Sequence, residues 1–280
     1  TRQGPFVTGM PPGGVPSMQR AIVIGAGIAG LSTASALARR GVHVTVVDRE
    51  DGPARGSTHR SAGIYRLAVA EPINVVLGLR TRDIIARVAP QAMRRTGAVY
   101  PCADEGTRND VLDAARDAGV RPAWPSEVPE FLQNRVRPAL FAPLDGVIDV
   151  GAFMKGLEAE AREAGVSFAF GTTVDSVDVA GGKAFGVVIA GDRVPAEVVV
   201  DATGPMSPVL HGADHVDLGI RPHRRHLYQL EGLASGMPER PVWDLTDGLY
   251  VRPDGDGLVA SPCDDEGAGP DTRVALDPSR

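Results

Sequence analysis

A chain of 280 residues, 43% hydrophobic and 23% charged, has ordinary globular composition and is long enough for one large or two medium domains. A net charge of −6, no basic stripe and only 5% aromatic residues argue against a nucleic-acid surface or a base-stacking platform. No apolar run reaches membrane-spanning length, and the two cysteines, Cys102 and Cys263, belong to no CxxC pair, so they read as reduced thiols of a cytoplasmic protein.

Thr1 to Ser17 is rich in Gly and Pro and reads as a disordered tail without the apolar centre of a signal peptide. Ala21 to Ile24 is a continuous apolar run, as in a strand buried on both faces of a parallel sheet. It enters Gly25-Ala26-Gly27-Ile28-Ala29-Gly30, after which Leu31, Ala34, Leu37 and Ala38 recur at helical spacing up to Gly41. Val42 to Val47 predicts a second strand ending in Asp48, the start of a βαβ unit. Asp51 to Gly63 reads as a loop. Ile73 to Val88 and Asn109 to Ala118 have helical spacing, the latter stopped by Gly119 and Pro122. Prolines recurring to Pro143 predict irregular structure or short edge strands. Asp149 is placed to cap a helix carrying Phe153, Leu157, Ala161 and Ala164 as far as Gly165. Strands follow at Val166 to Phe170, Val174 to Val179 and Ala184 to Ile189, with hairpin signals at Gly181-Gly182 and Gly191-Asp192. Val198 to Val200 is a buried strand closed by Asp201-Ala202-Thr203-Gly204. A β-rich stretch begins near Arg224 and includes Leu227 to Leu230, Leu249 to Val251 and Leu258 to Ala260, with a turn at Asp254-Gly255-Asp256-Gly257.

Gly25, Gly27 and Gly30 form a GxGxxG run set between a strand and a helix. The first glycine permits the tight turn, the second lets a pyrophosphate approach the backbone, and the third lets the helix pack on the sheet. Phosphates would then meet the N–H groups at the helix start. Asp48, at the tip of the second strand, can accept both ribose hydroxyls and would repel a 2′-phosphate; Glu50 is the alternative ligand. GxGxxG does not separate FAD from NAD. The strand meander ending in Asp201 to Gly204, and the loop Arg55-Gly56-Ser57-Thr58-His59-Arg60-Ser61-Ala62-Gly63, favour FAD, because small hydroxyl residues and glycines there can lie against a pyrophosphate and a flat ring.

The pieces AIVIGAGIAGLSTASAL, VTVVDRE, STHRSAG, DGVIDVGAF, VVVDATG, RPHRRHLY and GLYVRPDGDGLVASP occur in one order across most of Met18 to Pro262. Together they resemble the D-amino-acid oxidase (DAO) superfamily of FAD-dependent oxidoreductases, and more closely D-arginine dehydrogenase-like proteins. The resemblance implies an α/β fold (α+β overall), with a Rossmann-like FAD-binding domain of glutathione-reductase type and an inserted β-rich substrate domain. It implies a tail over 1–17, an FAD-binding domain over 18–70 and 149–215, and a substrate or cap domain over 71–148 and 216–280. Gly25, Gly27, Ile28, Ala29, Gly30 and Asp48 would hold the ADP half of FAD. Arg49, Ser57, Thr58, Arg60, Ser61, Ala62 and Gly63 would line the pyrophosphate and flavin. Val174 would meet the adenine through its backbone, and Ala202, Thr203 and Gly204 would pass close to the cofactor. Arg224 or Arg225 would clamp a substrate carboxylate, and Tyr250 would close the pocket.

Read as residues, Arg224 and Arg225 on a strand would point to opposite faces, so at most one can enter a pocket. Tyr250 can face core or pocket. His59 reads as a loop histidine or a flavin contact, and no ligand spacing around His223 and His226 supports a metal site. Two departures from the family stand out. Where D-arginine dehydrogenase has a polar His, Thr and Tyr, this chain has Ile64, Arg66 and Val69, and an added positive charge disfavours a cationic substrate. The family's final segment, which returns to the flavin, has no counterpart before Arg280. A fragment, a split enzyme whose partner chain brings that segment, and a reduced homologue are the three readings. The expected activity is oxidation of the CH–NH bond of a small amine or amino acid. The competing classes are a non-catalytic flavoprotein subunit and an NAD-dependent dehydrogenase.

Overall fold

The computed structural model describes residues 19–129, 138–207, 220–232 and 238–267. The tail expected before Met18, residues 130–137 within the proline-punctuated stretch, and the residues after Gly267 lie outside them. Chain contacts separate two compact units. One holds the chain up to Arg60 together with Met154–Pro222, and the other holds Ser61–Phe153 and His223–Gly267.

The first unit is built on a parallel four-stranded sheet in the order Val198–Asp201, Arg20–Ile24, His43–Val47, Ser167–Ala169. Ile24 is level with both Asp201 and Val47, and Val47 with Ala169, so the strands end together at their carboxyl edge. Ile22, Ile24, Val47 and Ala169 bury one face of this sheet against Val187 and Ala196 of an antiparallel meander, Ser176–Ala180, Lys183–Ile189 and Asp192–Pro195. The first hairpin turns at 181–182, as expected; the second turns one residue earlier than expected, at Ala190 and Gly191, both at positive φ, with Asp192 already in the next strand and level with Ile189. Val23 and Val46, fully buried, alternate to the other face.

The helix Ile28–Ala38 packs against the first two strands through Leu31 and Ala34, both at zero exposure. It lies beside the helix Val150–Glu163, which the buried Ser35 reaches with a hydroxyl donated to Glu160 at 2.8 Å, while Arg39 donates to the same carboxylate at 2.8 Å. The two helices end alike. Val42 N–H bonds the carbonyl of Leu37 and Val166 N–H that of Ala161, and the intervening Gly41 and Gly165 take φ of +83° and +85°. Asp149 caps the second helix as expected, its Oδ1 accepting from Ala152 N–H at 2.9 Å.

The second unit is organised around a seven-stranded sheet in the order Tyr228–Leu230, Gly257–Ser261, Tyr250–Asp254, Val242–Trp243, Ala98–Pro101, Ala139–Ala142, Arg121–Pro122. Every pairing is antiparallel except the central one, where Val242 runs parallel to Val99. Val99, Phe141 and Val242 pack together on one face. Smaller pairings join Ile64–Tyr65, Gly146–Ile148 and Met93–Arg94, and separately His223–Arg224 with Glu266–Gly267. The helix Pro72–Val88 matches its apolar spacing. The next helix starts earlier than its periodicity suggests, at Glu105, because Asp104 caps it by accepting from Thr107 N–H at 2.7 Å; it gives way after Ala114 to a 3-10 turn at Arg116–Ala118.

A methyl group added at Gly30 would stand 1.8 Å from the carbonyl oxygen of Gly25, whereas one added at Gly41 would meet nothing within 4 Å. Gly30→Ala is therefore expected to cost roughly 1–3 kcal/mol or more through backbone displacement, despite alanine's better helix propensity. Gly41→Ala should cost only about 1 kcal/mol, for its left-handed φ. Urea unfolding of the two variants measures the difference, and equal losses would refute the packing argument.

Candidate functional site

At the carboxyl edge of the parallel sheet three turns converge. Gly25, at φ +104°, leaves the first strand so close to the last that a Cβ on it would lie 2.5 Å from the carbonyl oxygen of Ala202. A Cβ on Gly27 would come within 3.1 Å of Thr58 Oγ1. Asp48 faces this corner: its Oδ2 accepts from Ala26 N–H at 2.6 Å and its Oδ1 from Glu50 N–H at 2.9 Å. A carboxylate has about four lone-pair sites, so two remain for further donors such as sugar hydroxyls. The helix begins at Gly27 with no side-chain cap and no acid in its first turn. Its leading N–H groups other than that of Ile28, which meets Thr58 Oγ1, are thus open to an anion, and Ile28 and Ala29 are exposed. This donor set, an uncapped helix start beside a half-used carboxylate, suits the diphosphate and ribose of FAD.

Thr58 donates no bond there but receives one, from Ile28 N–H at 3.3 Å, and Ala54 N–H bonds the carbonyl of Ala26, so the loop after the second strand folds back over the corner. Ser57, His59 and Arg60 are exposed on that loop. Arg49 is exposed too and pairs with Glu50 at 3.4 Å. Val174 packs its side chain against the cluster of Ile22 and Val187, which leaves its backbone as the part open to a ligand. Ala202 bonds the carbonyl of Ile24. Thr203 donates to Asp201 at 2.6 Å and Ser207 to the other oxygen of Asp201, fixing the turn that continues through Gly204.

In the second unit, register decides which side chains share a face. Tyr250 is level with Trp243 and with Ser261, and their side chains point the same way; the Trp243 and Tyr250 rings are 5.7 Å apart. Tyr100, one step beyond the Val99–Val242 pair, belongs to that face as well. Arg66 lies over it, its guanidinium carbon 4.5 Å from the Trp243 ring centre and 5.4 Å from that of Tyr100, with Nε–H donated to Ala68 O at 2.8 Å. Tyr250 is 3% exposed, and its hydroxyl is buried with no hydrogen-bond partner. Burial pushes that hydroxyl up to about 12, against the nearby Arg252. Arg252 is itself fully engaged, donating to Ala62 O at 2.6 Å and to Asp254 at 2.6 Å. Ser61 accepts from Gly63 N–H at 3.3 Å, and Gly63 O accepts from Ile148 N–H at 2.8 Å.

Arg224 and Arg225 do separate, as strand alternation requires. Arg224 is half-buried in step with His226 and Tyr228, and Arg225 is exposed. Tyr228 is level with Ala260 and Val251, the face opposite Tyr250. The Nε of Arg224 and the Nε2 of His226 are buried without partners. His226 is held by Asp264, which accepts from its backbone N–H at 2.9 Å and pairs with its ring. His223 pairs with Asp265 at 2.8 Å. Among the described residues no cluster of His, Cys, Asp or Glu could hold a metal. Cys263 follows the Tyr250 strand pair. Burial raises its thiol above the usual range, a rise that the positive charge of Arg225 opposes.

The sequence reading missed Asp145. It is completely buried, accepting from Tyr100 Oη at 2.6 Å, Leu67 N–H at 2.9 Å and Ala68 N–H at 3.4 Å. It thereby anchors the residues that follow Arg66 to the aromatic face. In Pro143-Leu144-Asp145-Gly146 it looks like a turn acid, and nothing local marks it as a buried acceptor. Trp243 was missed as well, although it is one of only two tryptophans and so stood out by composition.

Residues 20–280 match the family model described as DAO: FAD dependent oxidoreductase. A D-amino acid dehydrogenase of Rhizobium johnstonii is 27% identical, the match covering 85% of this chain and 74% of the relative, and one of Rhizobium rhizogenes is 26% identical over 84% and 73%. Among solved structures, L-proline dehydrogenase from P. horikoshii superposes with a TM-score of 0.74 at 21% identity, covering 88% of this chain and 70% of that one. Glycine oxidase from Bacillus cereus superposes with a TM-score of 0.73 at 20% identity, covering 93% and 74%. The mixed α/β architecture expected from the sequence is thus the architecture of these neighbours.

Burial raises the Asp145 carboxyl to about 6, outweighing the bonds from Tyr100, Leu67 and Ala68 that favour its charged form. The folded state therefore holds this proton more tightly than the unfolded chain. The stability this contributes is full below about pH 4 and is lost as pH rises through about 6, a change of about 3 kcal/mol. Asp145→Asn should lack that slope. Urea unfolding of both proteins between pH 4.5 and 7.5 would show parallel curves if Asp145 titrated normally, and curves that change in separation if it does not.

Proposed function

The chain belongs to the DAO family of FAD-dependent oxidoreductases, and from that premise we propose that it oxidises the CH–NH bond of a small amine or, in preference, an amino acid. The observation that carries the reading is the glycine corner with the Asp48 carboxylate turned into it, at the edge of the sheet where such folds receive a dinucleotide. The first unit then serves as the nucleotide-binding domain and the second as the substrate domain, with Gly25, Gly27, Gly30 and Asp48 holding the ADP half. Thr58, Ser61, Ala62 and Gly63 would follow the cofactor toward its flavin, and Ala202 to Gly204 would border it.

FAD, when bound, supplies the acceptor for a hydride from the substrate α-carbon. The chain's own residues do the positioning. One guanidinium of Arg224 and Arg225 grips the carboxylate in a two-pronged bond. Arg224 is half-buried with its Nε unpartnered, and Arg225 is exposed, so either keeps donors free for that bond. The unpartnered Tyr250 hydroxyl donates to the same substrate, and the Trp243 and Tyr250 rings keep water from its reacting side. Two electrons and one proton leave the α-carbon as hydride, and a proton leaves the neutral amine. The resulting imine is hydrolysed by water to a carbonyl compound and ammonia or an amine. No side chain is required as a base. Relatives named for D-amino acids, glycine and L-proline support an amino-acid substrate of either hand or none.

Among the described residues no helix is long and apolar enough to cross a membrane. Cys102 and Cys263 are both free thiols, which supports a cytoplasmic setting.

Protein incubated with FAD and desalted is expected to keep a yellow flavin spectrum that bleaches anaerobically with amino acids. Asp48→Ala should weaken retention roughly ten- to hundredfold, the worth of charge-assisted bonds to the ribose. Retention of NAD in place of FAD, or a bound flavin that no amine or amino acid reduces, would overturn the reading.

A further inference from the structure

Arg252 ties two distant parts of the second unit together. Its Nε–H donates to the carbonyl of Ala62 at 2.6 Å across a separation of 190 residues. Its Nη1 donates to Asp254 at 2.6 Å and to the carbonyl of Pro253 at 3.0 Å. The side chain is only 12% exposed, so the bond to Ala62 is sheltered from water. Three of the five guanidinium donors are thus spent on the protein itself, the pattern of a clamp and not of a substrate ligand. The clamped segment is fixed at its exit as well. Ile148 N–H donates to Gly63 O at 2.8 Å, and Ile64 and Tyr65 then pair with Val147 and Gly146. Gly63 turns at φ +67°, and a Cβ on it would stand 2.8 Å from Ile148 O and 3.6 Å from Arg252 Nε. Glycine is what lets the strand and the guanidinium close on the segment together.

Register fixes the side from which the clamp acts. Arg252 is level with Val259 and Tyr250 with Ser261, so these two side chains, two residues apart on one strand, leave the same face. Trp243, level with Tyr250, leaves that face too. The segment Ser61–Gly63 is therefore fastened to the face that carries the Tyr250 and Trp243 rings, about 7 Å along the strand from Tyr250. Apolar packing can join a loop to a strand with equal stability and without burying a cation. A short charge-assisted bond from a guanidinium held at its other end adds a defined position.

We propose that Arg252 is a positioning residue for hydride transfer: it holds the flavin-lining segment against the strand that bears Tyr250, and so sets the spacing between flavin and substrate. The proposal rests on the reading of Ser61, Ala62 and Gly63 given above and deepens it. Transfer needs reacting atoms about 3–3.5 Å apart, and a misplacement of about 1 Å costs on the order of a hundredfold in rate. A segment released at Ala62 drifts on that scale while the substrate keeps its own partners.

The test compares Arg252→Gln and Asp254→Asn with the unsubstituted protein, thermal melting establishing that each is folded. Asp254, 35% exposed, tolerates substitution, and its loss loosens the same guanidinium without removing it, so this variant carries the test where Arg252→Gln does not fold. The clamp is read first without cofactor, by trypsin cleavage after the exposed Arg60, two residues before Ala62. Cleavage is expected to quicken roughly tenfold in Arg252→Gln, the worth of one charge-assisted hydrogen bond, and less in Asp254→Asn. FAD-loaded proteins are then mixed anaerobically with the amino acid that best bleaches the unsubstituted one. The limiting rate of bleaching is expected to fall roughly ten- to hundredfold in Arg252→Gln, and by less in Asp254→Asn. The substrate concentration giving half that rate should stay unchanged, and the visible bands of the bound flavin should shift. Cleavage, limiting rate and flavin bands that match the unsubstituted protein in a folded variant overturn the proposal. A raised half-saturating concentration at a constant limiting rate overturns it too, because it places Arg252 among the substrate's ligands. Either result leaves amino-acid oxidation standing. An unsubstituted protein that retains no FAD, or whose FAD no amino acid bleaches, overturns the functional reading and this proposal with it.

Discussion

Between Gly25 and Gly30 there is no room for a methyl group, and between Gly25 and Ala202 there is little more. The carboxyl edge of the parallel sheet is arranged by that contact. Because the helix Ile28–Ala38 can sit directly on the end of the first strand, its leading N–H groups stand beside the turn and not beyond it. Because the first and last strands touch through backbone alone, the Asp201 turn lies against the same corner. Asp48 then closes the arrangement by bonding Ala26 N–H across the gap between two neighbouring strands. The phosphate-seating geometry is thus a packing result before it is an electrostatic one. Side chains contribute only where they accept hydrogen bonds: Asp48, Thr58 and Asp201.

The second unit works by the opposite principle. Its candidate site is made of large side chains on a sheet face, tied from behind by a buried carboxylate. Burying Asp145 is costly, and the protein recovers part of that cost through three donors, two of them backbone groups of residues 67 and 68. What it obtains is a fixed position for the residues next to Arg66. Unpartnered polar atoms at Tyr250, Arg224 and His226 are the remaining cost, and natural interiors carry few such atoms without a reason.

The parts of this architecture that were legible in the sequence are those written in consecutive residues. The first strand, the glycine turn and the following helix have periodicity, caps and glycine ends within a few positions of one another, as do the meander and its two hairpins. The strand Ala98–Pro101, the strand Val242–Trp243 and the role of Asp145 were not legible. Each is defined by partners far along the chain: Tyr100 meets Trp243 only once the sheet is assembled, and Asp145 is satisfied by residues near position 67. The same holds for the arginine pair. Alternation announced that Arg224 and Arg225 would part company, but only register against Ala260 and Ser261 tells which of them lies on the side of Tyr250. Arg66 stood out as a departure from the family pattern, whereas its seat on Trp243 is a tertiary fact.

The single parallel join in the second unit, between Val99 and Val242, has a consequence for how the protein comes to be. Nearby, Ala103 N–H bonds Thr246 Oγ1 across a separation of 143 residues. Through translation of that whole interval, the strand Ala98–Pro101 can pair with Ala139–Ala142 but has no neighbour on its other side. A nascent chain therefore carries an open, apolar sheet margin until its last third leaves the ribosome, and closure at that seam comes late. Shielding of the margin during synthesis, by a chaperone or by slow elongation, becomes part of what this topology demands.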